Sequence, residues 1–191
     1  MNSHDAAETY RSLHTTIKYA AGDRPVRAVL IVDVDRPSTS AVAENVAAAF
    51  ARAGDSCLLV NADFRGGSSD RAGFADLIRD PAASVEADAS GEGPARLVPG
   101  TDAHPDLLAS SRLTDALKSL RSRYDYLIVS CPPLPGYSDA VAIAPHVDAT
   151  VLVISAGVTG RDEAVQAKEA LERVGARILG MVMIERPRRW F

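Results

Sequence analysis

The sequence has few cysteines, no long apolar run and no excess of positive charge. Its two cysteines, Cys57 and Cys131, are too few for a disulfide framework or for a zinc site of the usual spacing. A net charge of −4 gives no support to a nucleic-acid ligand. No apolar run approaches the roughly 20 residues needed to cross a bilayer, and the polar, acidic start does not resemble a signal peptide. These absences predict a cytoplasmic protein that does not bind nucleic acid.

The composition is that of an ordinary globular protein, with 47% hydrophobic and 24% charged residues. A chain of 191 residues is long enough to bury a core. We therefore predict a single domain over residues 1–191. Residues 1–22 form its N-terminal helical segment. Residues 80–94, rich in Ala, Ser, Asp, Glu and Gly, are expected to be a flexible surface loop.

Basic residues cluster only near the end of the sequence, where Arg186, Arg188 and Arg189 precede Trp190 and Phe191. A solvated surface segment is the simplest interpretation of this cluster. Contact with a partner or with a membrane surface is the alternative, because clustered arginines are attracted to anionic surfaces.

Apolar segments of strand length alternate with segments of helical periodicity, the order typical of a parallel sheet. Strands are predicted at residues 26–32, 57–60, 96–98, 126–129, 149–155 and 178–184. Helices are predicted at residues 5–19, 38–53, 73–78, 112–123 and 162–174. Continuous Val, Ile and Leu runs indicate strands that are covered on both faces. The predicted fold class is therefore α/β: a doubly wound, mainly parallel sheet in a Rossmann-type three-layer sandwich.

Several spaced motifs carry a resemblance to a known family. They are residues 8–14 (ETYRSLH), 45–65 (NVAAAFARAGDSCLLVNADFR), 104–110 (HPDLLAS), 124–133 (YDYLIVSCPP) and 138–140 (SDA). In this order they resemble motifs of the bacterial tyrosine kinases (BY-kinases) of capsule export, and more distantly the MinD/ParA-type ATPases. The resemblance covers nearly the whole chain and implies a P-loop NTPase-like fold.

The first motif resembles the E-x-x-R-x-x-R helix that assembles BY-kinase domains into rings. The resemblance places its three charged positions at Glu8, Arg11 and His14. Histidine is shorter than arginine and mostly neutral at pH 7, so it lacks the bidentate fork that binds a carboxylate. We therefore expect a weak homo-oligomer that is a monomer or dimer in dilute solution.

The resemblance places the family's phosphate-binding loop, G-E-G-K-S, on Arg36, Pro37, Ser38, Thr39 and Ser40. Such a loop binds phosphate because its glycines let backbone N–H groups converge and its lysine supplies charge. Here both glycines have side chains, Pro37 removes an N–H donor, and Thr39 replaces the lysine. Ser38 and Ser40 have a simpler alternative role as caps of the helix that follows.

The family's two acidic motifs are also altered. Their aspartates, which serve magnesium coordination and activation of the tyrosine hydroxyl, correspond to Asn61 and Ser130, and neither is charged. Asp63 and Arg65 persist, either as a base and its neighbour or as members of an ion pair or helix cap. The asparagine that reads adenine corresponds to Ile184. The resemblance therefore implies a site that has lost its nucleotide and metal ligands.

These substitutions predict a catalytically inert relative, with no cofactor and no metal, that acts as an interaction or regulatory module in capsular or exopolysaccharide biosynthesis and export. The family's C-terminal tyrosine cluster has no counterpart in residues 185–191. The alternative is a divergent ATPase or non-specific protein-tyrosine kinase that uses ATP and Mg²⁺. The partners implied are a membrane-bound chain-length regulator or an active BY-kinase paralogue, at the inner face of the cell membrane.

Charged residues remain at the expected carboxyl edge of the sheet, where such folds bind ligands. They are Asp33, Asp35, Arg36, Asp63 and Arg65. They either pair with one another or hold a different small ligand.

Overall fold

The computed structural model describes residues 3–20, 25–34, 39–89, 93–134 and 136–185, without the side chains of residues 3–6 and 39–40. Over these residues the strands are β1 (Ala28–Asp33), β2 (Cys57–Asn61), β3 (Ala95–Leu97), β4 (Tyr126–Ser130), β5 (Ala149–Ser155) and β6 (Ile178–Ile184). The α-helices are α1 (Ser3–Lys18), α2 (Thr39–Arg52), α3 (Phe74–Arg79), α4 (Leu113–Arg121), α5 (Asp139–Ile143) and α6 (Arg161–Arg173). Short 3₁₀ helices lie at Pro105–Ala109 and Ala144–His146.

The strands form one sheet in the order β3-β2-β4-β1-β5-β6. Every neighbouring pair in this sheet is parallel. Parallel neighbours need crossover connections, and the helices between the strands supply them. The predicted doubly wound parallel sheet is confirmed, with β4 and β1 at its centre.

Helices cover both faces of the sheet, which gives the predicted three layers. One face packs against α1 and α2 through residues such as Ile17 and Phe50, both fully buried. The other face packs against α3, α4, α5 and α6 through residues such as Phe74, Leu117 and Leu171. All six residues of β1 are buried, as expected for a central strand with helices above and below. Among the helices of the described residues, none is both long and apolar enough to cross a membrane.

The prediction that every strand is covered on both faces is wrong for β6. This strand lies at the edge of the sheet, and Met181 and Met183 are 54% and 65% exposed. The prediction failed because an apolar run does not reveal which strand will be at the edge. Helix α5 was not predicted either, since five residues are too few to establish helical periodicity.

Candidate functional site

Three strands bring the residues of the altered motifs to one edge of the sheet. Strands β1, β2 and β4 end at Asp33, Asn61 and Ser130. Asn61 and Ser130 are direct neighbours in the register of β2 and β4. Asp33 is only 1% exposed. The fold therefore places these positions at the carboxyl edge, where parallel α/β sheets bind their ligands.

Asn61 and Ser130, the two positions that the sequence resemblance aligns with family aspartates, form hydrogen bonds with nearby backbone groups. The side-chain oxygen of Asn61 accepts a hydrogen bond from the backbone N–H of Asp63 at 2.9 Å. The hydroxyl of Ser130 donates to the carbonyl of Val60 at 3.4 Å, a long contact for an O–H donor. Neither side chain carries a charge, so neither supplies an anionic ligand for a hard divalent cation.

Asp63, the retained carboxylate, stabilises the loop after β2. Its Oδ1 atom accepts hydrogen bonds from the backbone N–H groups of Arg65 and Gly66, both at 3.0 Å. An aspartate that bonds to the backbone two and three residues later holds a local turn. Asp63 thus has a structural role, which is similar to that of the helix cap suggested by the sequence.

Arg65, the retained cation, pairs with Asp139 rather than with Asp63. Its Nε and Nη2 atoms donate to the two carboxylate oxygens of Asp139, each at 2.9 Å. This hydrogen-bonded pairing raises the pKa of Arg65 above its ordinary value, although burial opposes the rise. The guanidinium also lies 4.5 Å from the ring centroid of Tyr137, within cation–π distance.

The arginine therefore ties the loop after β2 to helix α5. Asp139 is 3% exposed, so its charge is buried beneath the 37%-exposed side chain of Arg65. A bidentate pair of this kind is geometrically specific and strong for an ion pair. One signal of this role is present in the sequence, because Asp139 belongs to the motif at residues 138–140, but no sequence pattern links it to Arg65.

Cys131 directly follows β4, at the same edge of the sheet. The thiol is buried, and its pKa lies well above the ordinary value. Burial is the largest cause of this rise, and the nearby charges of Asp139, Asp63 and Asp33 add to it. The reactive form of cysteine is the thiolate, which is disfavoured under these conditions.

A small cavity opens beside Asn61 and Ser130. Its volume is about 180 Å³, smaller than the roughly 300–1,000 Å³ typical of small-molecule pockets. The charged side chains of its wall are paired: Arg96 with Glu44 at 2.8 Å, and Asp88 with Arg71 at 2.6 Å. Among the described residues, the positive and negative charges of this wall therefore balance.

The predicted phosphate loop lies largely outside the described residues. Asp35, Arg36, Pro37 and Ser38 all fall in the gap at residues 35–38. Helix α2 begins at Thr39, which places the backbone of Thr39 and Ser40 in its first turn. In the described part of the chain no group of three or more His, Cys, Asp or Glu side chains could hold a metal ion.

Ile184, the position that the sequence resemblance aligns with the adenine-reading asparagine, is apolar and partly packed. Ile184 ends β6, and its carbonyl accepts a hydrogen bond from the N–H of Ala156 at 2.8 Å. Its side chain packs against the cluster beneath α1 and α2. An aliphatic side chain has no donor or acceptor with which to read a base.

The predicted oligomerisation positions on α1 divide into two groups. Glu8 and Arg11 form an exposed ion pair one turn apart on α1. His14 is buried, with Nε2 3.0 Å from Oδ2 of Asp55 and its ring edge-on to Phe50 at 4.5 Å between centroids. His14 therefore holds α1 against α2 within one chain, a role that the sequence did not indicate.

Asp55 is the common partner of this attachment. It also accepts hydrogen bonds from Lys18 at 2.7 and 2.9 Å. Burial alone would raise the pKa of Asp55, but the hydrogen bonds from Lys18 and His14 outweigh it and hold the pKa below the ordinary value.

The strand order and the all-parallel sheet give this chain the fold of the MinD/ParA-type P-loop ATPases. The cell division ATPase MinD of Pyrococcus furiosus superimposes with a TM-score of 0.61 at 19% identity, over 82% of this chain and 71% of that chain. No family model matches the sequence.

Curated relatives place the chain more narrowly. It is 30% identical over 189 residues to the tyrosine-protein kinase YwqD of Bacillus subtilis, covering 93% of this chain and 80% of that protein. It is equally similar, at 30% over 189 residues, to the tyrosine-protein kinase CpsD of Streptococcus pneumoniae, covering 93% and 83%. The chain therefore belongs to the family of bacterial tyrosine-protein kinases.

Solved structures agree with this assignment. The BceF tyrosine kinase domain superimposes with a TM-score of 0.82 at 28% identity, over 95% of this chain and 78% of that chain. The kinase domain of the Escherichia coli tyrosine kinase ETK has the same fold, with a TM-score of 0.83 at 23% identity, over 97% and 78%. The resemblance drawn from the sequence motifs is confirmed.

Proposed function

We propose that this protein is a catalytically inert BY-kinase-like protein that acts as an interaction or regulatory module in capsular or exopolysaccharide biosynthesis and export. One observation carries the proposal. Asn61 and Ser130 lie side by side at the carboxyl edge of the sheet, where the family resemblance places two aspartates, and neither has a charge. Without these two carboxylates the edge has lost two of the hard anionic ligands that Mg²⁺ prefers.

The electrostatics of nucleotide binding support the same proposal. A triphosphate needs cations and N–H donors to replace its lost hydration, and the sequence has Thr39 where the family has lysine and Pro37 where an N–H is needed. Charge-assisted contacts are worth roughly 1.5–3 kcal/mol each. Losing several of them moves a micromolar site beyond about 1 mM, since each 1.4 kcal/mol is about tenfold.

The retained polar residues support it as well, because their contacts are internal. Asp63 bonds to the backbone of its own loop, and Arg65 is paired with the buried carboxylate of Asp139. These contacts stabilise the loop after β2. Recruiting either residue for phosphoryl transfer requires breaking contacts that the folded loop depends on.

The second candidate is a divergent ATP- and Mg²⁺-dependent tyrosine kinase or ATPase. It is favoured by the names of the relatives: the matches that span 93% of this chain are tyrosine-protein kinases. Arg36 is then the substitute cation, at the start of the loop rather than at the lysine position.

The partners follow from the family. We propose that the protein docks on a membrane-bound chain-length regulator or on an active BY-kinase paralogue, at the inner face of the cell membrane. In the tyrosine-protein kinase wzc of Salmonella typhi the region that matches this chain is 26% of the protein, so a domain of this kind is there one part of a longer chain. Purified candidates of both types test it: one of them should co-purify with this chain without ATP, and failure of both contradicts the module.

Thermal unfolding with nucleotide separates the two candidate functions. A ligand present at 100 times its dissociation constant stabilises a protein by about 2.7 kcal/mol. We expect millimolar ATP with Mg²⁺ to leave the unfolding midpoint of this protein unchanged, while a tyrosine kinase of the family, run in parallel, melts at a higher temperature. A comparable rise for this protein would support the divergent enzyme instead.

A further inference from the structure

The edge strand β6 directs part of its backbone away from the sheet. In the described part of the chain it pairs only with β5. The carbonyl of Ile184 accepts a hydrogen bond from the N–H of Ala156, directly after β5. Backbone groups point alternately to the two sides of a strand, so the N–H and C=O groups of Met181 and Met183 point away from β5. A further strand can join the sheet through these groups.

The side chains of β6 suit an apolar partner strand. Its sequence, ILGMVMI, contains no charge and no proline. Proteins usually protect an open edge with charges or proline, because such an edge invites pairing. Met181 and Met183 are 54% and 65% exposed. Contact with another uncharged strand would remove this apolar surface from water.

The charges at the two ends of β6 favour a second copy of the same strand as the partner. Arg177 directly precedes the strand and Glu185 directly follows it. Glu185 is exposed and forms no ion pair with another described residue. When two copies of the strand run antiparallel, the Arg177 end of one copy lies beside the Glu185 end of the other. Arg177 also has a contact within its own chain, but an arginine carries five N–H donors and can serve both.

We propose that two copies of this protein pair through antiparallel β6 edges and form a two-fold dimer with one continuous sheet. The axis passes beside Met181, whose outward backbone groups bond to the same residue of the other copy. This register sets Gly180 opposite Val182, an apolar pair. The irregularity in the β5–β6 register lies before Gly180, so the residues around the axis follow a regular strand. A two-fold interface is closed, and pairing therefore stops at two copies.

The mass of the protein in solution tests this dimer. In a dilution series from millimolar to micromolar concentration, we expect light scattering to show a mass that falls from two chains towards one. Met181→Lys sets two like charges opposite each other and removes an apolar contact, so the dissociation constant should rise at least about tenfold. The matched control is Tyr19→Lys, which adds the same charge at a 75%-exposed residue just after the end of α1 and should leave the mass unchanged.

A mixing experiment tests the register. Met181→Glu alone should weaken the dimer as Met181→Lys does, because residue 181 lies opposite itself. An equimolar mixture of the two variants places a lysine opposite a glutamate and should restore the mass of two chains. Circular dichroism verifies that each variant is folded.

Four results would overturn the proposal. The first is a mass of one chain throughout the dilution series. The second is a dimer that is as stable in Met181→Lys as in the wild type, which would place the interface elsewhere. The third is a mixture of the two charged variants that stays monomeric, which would exclude this register. The fourth is slow hydrogen exchange at the N–H groups of Met181 and Met183 in the dilute monomer, which would mean that the chain covers its own edge; we expect exchange there to slow only on association.

Discussion

Arg65 donates two hydrogen bonds to Asp139, a carboxylate that is 3% exposed and lies 74 positions further along the chain. Removing the partner of a buried charge is costly, because the remaining charge is neither hydrated nor paired. The pair therefore matters more for the stability of the folded protein than an exposed ion pair does.

We expect Arg65→Ala to lower the free energy of unfolding by about 2–3 kcal/mol, less than the roughly 3–5 kcal/mol of a fully buried pair, because Arg65 is partly exposed. Chemical denaturation measures the change. The control is Arg71→Ala, whose partner Asp88 is 51% exposed, so that the loss should stay within about 1 kcal/mol. Equal losses in the two variants would contradict a structural role for Arg65.

A single restored lysine provides a second test at the scale of residues. We expect Thr39→Lys alone to leave ATP binding undetectable, because Pro37, Asn61 and Ser130 would still withhold an N–H donor and two carboxylates. Equilibrium dialysis with labelled ATP measures it. The matched comparison carries the family's whole G-E-G-K-S loop together with Asn61→Asp and Ser130→Asp. Binding by Thr39→Lys alone would mean that the rest of the site is intact.

Sequence motifs predicted which residues lie at the edge of the sheet but not which residues they contact. Asn61 and Ser130 each end a strand with a strong apolar pattern, and the ends of neighbouring parallel strands meet at one edge. The partners of Arg65 and His14 were not predicted, since Asp139 and Asp55 are distant in sequence. Contacts of this range depend on the packing of helices, which local patterns do not encode.

Among the secondary-structure elements, the attachment of α1 depends most on ionisation. Asp55 accepts hydrogen bonds from Lys18 and interacts with His14, and its pKa is lowered in the folded protein. A carboxylate with a lowered folded pKa stabilises the protein above its unfolded pKa of about 4. That stabilisation is lost as the pH falls through the folded pKa.

We therefore expect Asp55→Asn to be less stable than the wild type at neutral pH and to lose stability less steeply between about pH 5 and pH 2. Urea denaturation across this range measures the slope. Asp115→Asn is the control, because Asp115 is 60% exposed and pairs only with Lys118 at the surface. Parallel curves for Asp55→Asn and the wild type would contradict the proposed attachment.

The strand boundaries were predictable because continuous runs of β-branched and aliphatic residues mark them. The predicted bounds of β5 and β6 agree with the structure at both ends. The exposure of β6 was not predictable, because its apolar run resembles that of a central strand. Helix α5 also escaped prediction, although it supplies Asp139 to the candidate site.

At the scale of the whole molecule, α1 is the helix predicted to mediate the assembly of several copies of this chain. Glu8 and Arg11 are exposed but paired with each other, and His14 is engaged with Asp55 of its own chain. We expect light scattering at micromolar concentration to give the mass of one or two chains. A stable large ring would contradict this expectation and would show that Glu8 and Arg11 suffice for assembly.

The central claim is that the family fold is retained while nucleotide binding is lost. Isothermal titration of ATP into this protein, with and without Mg²⁺, tests it most directly, with an active family kinase as the positive control. We predict no measurable heat of binding under either condition, since several charge-assisted contacts are absent. A dissociation constant below about 100 μM, equivalent to more than about 5 kcal/mol of binding free energy, would contradict the inert assignment.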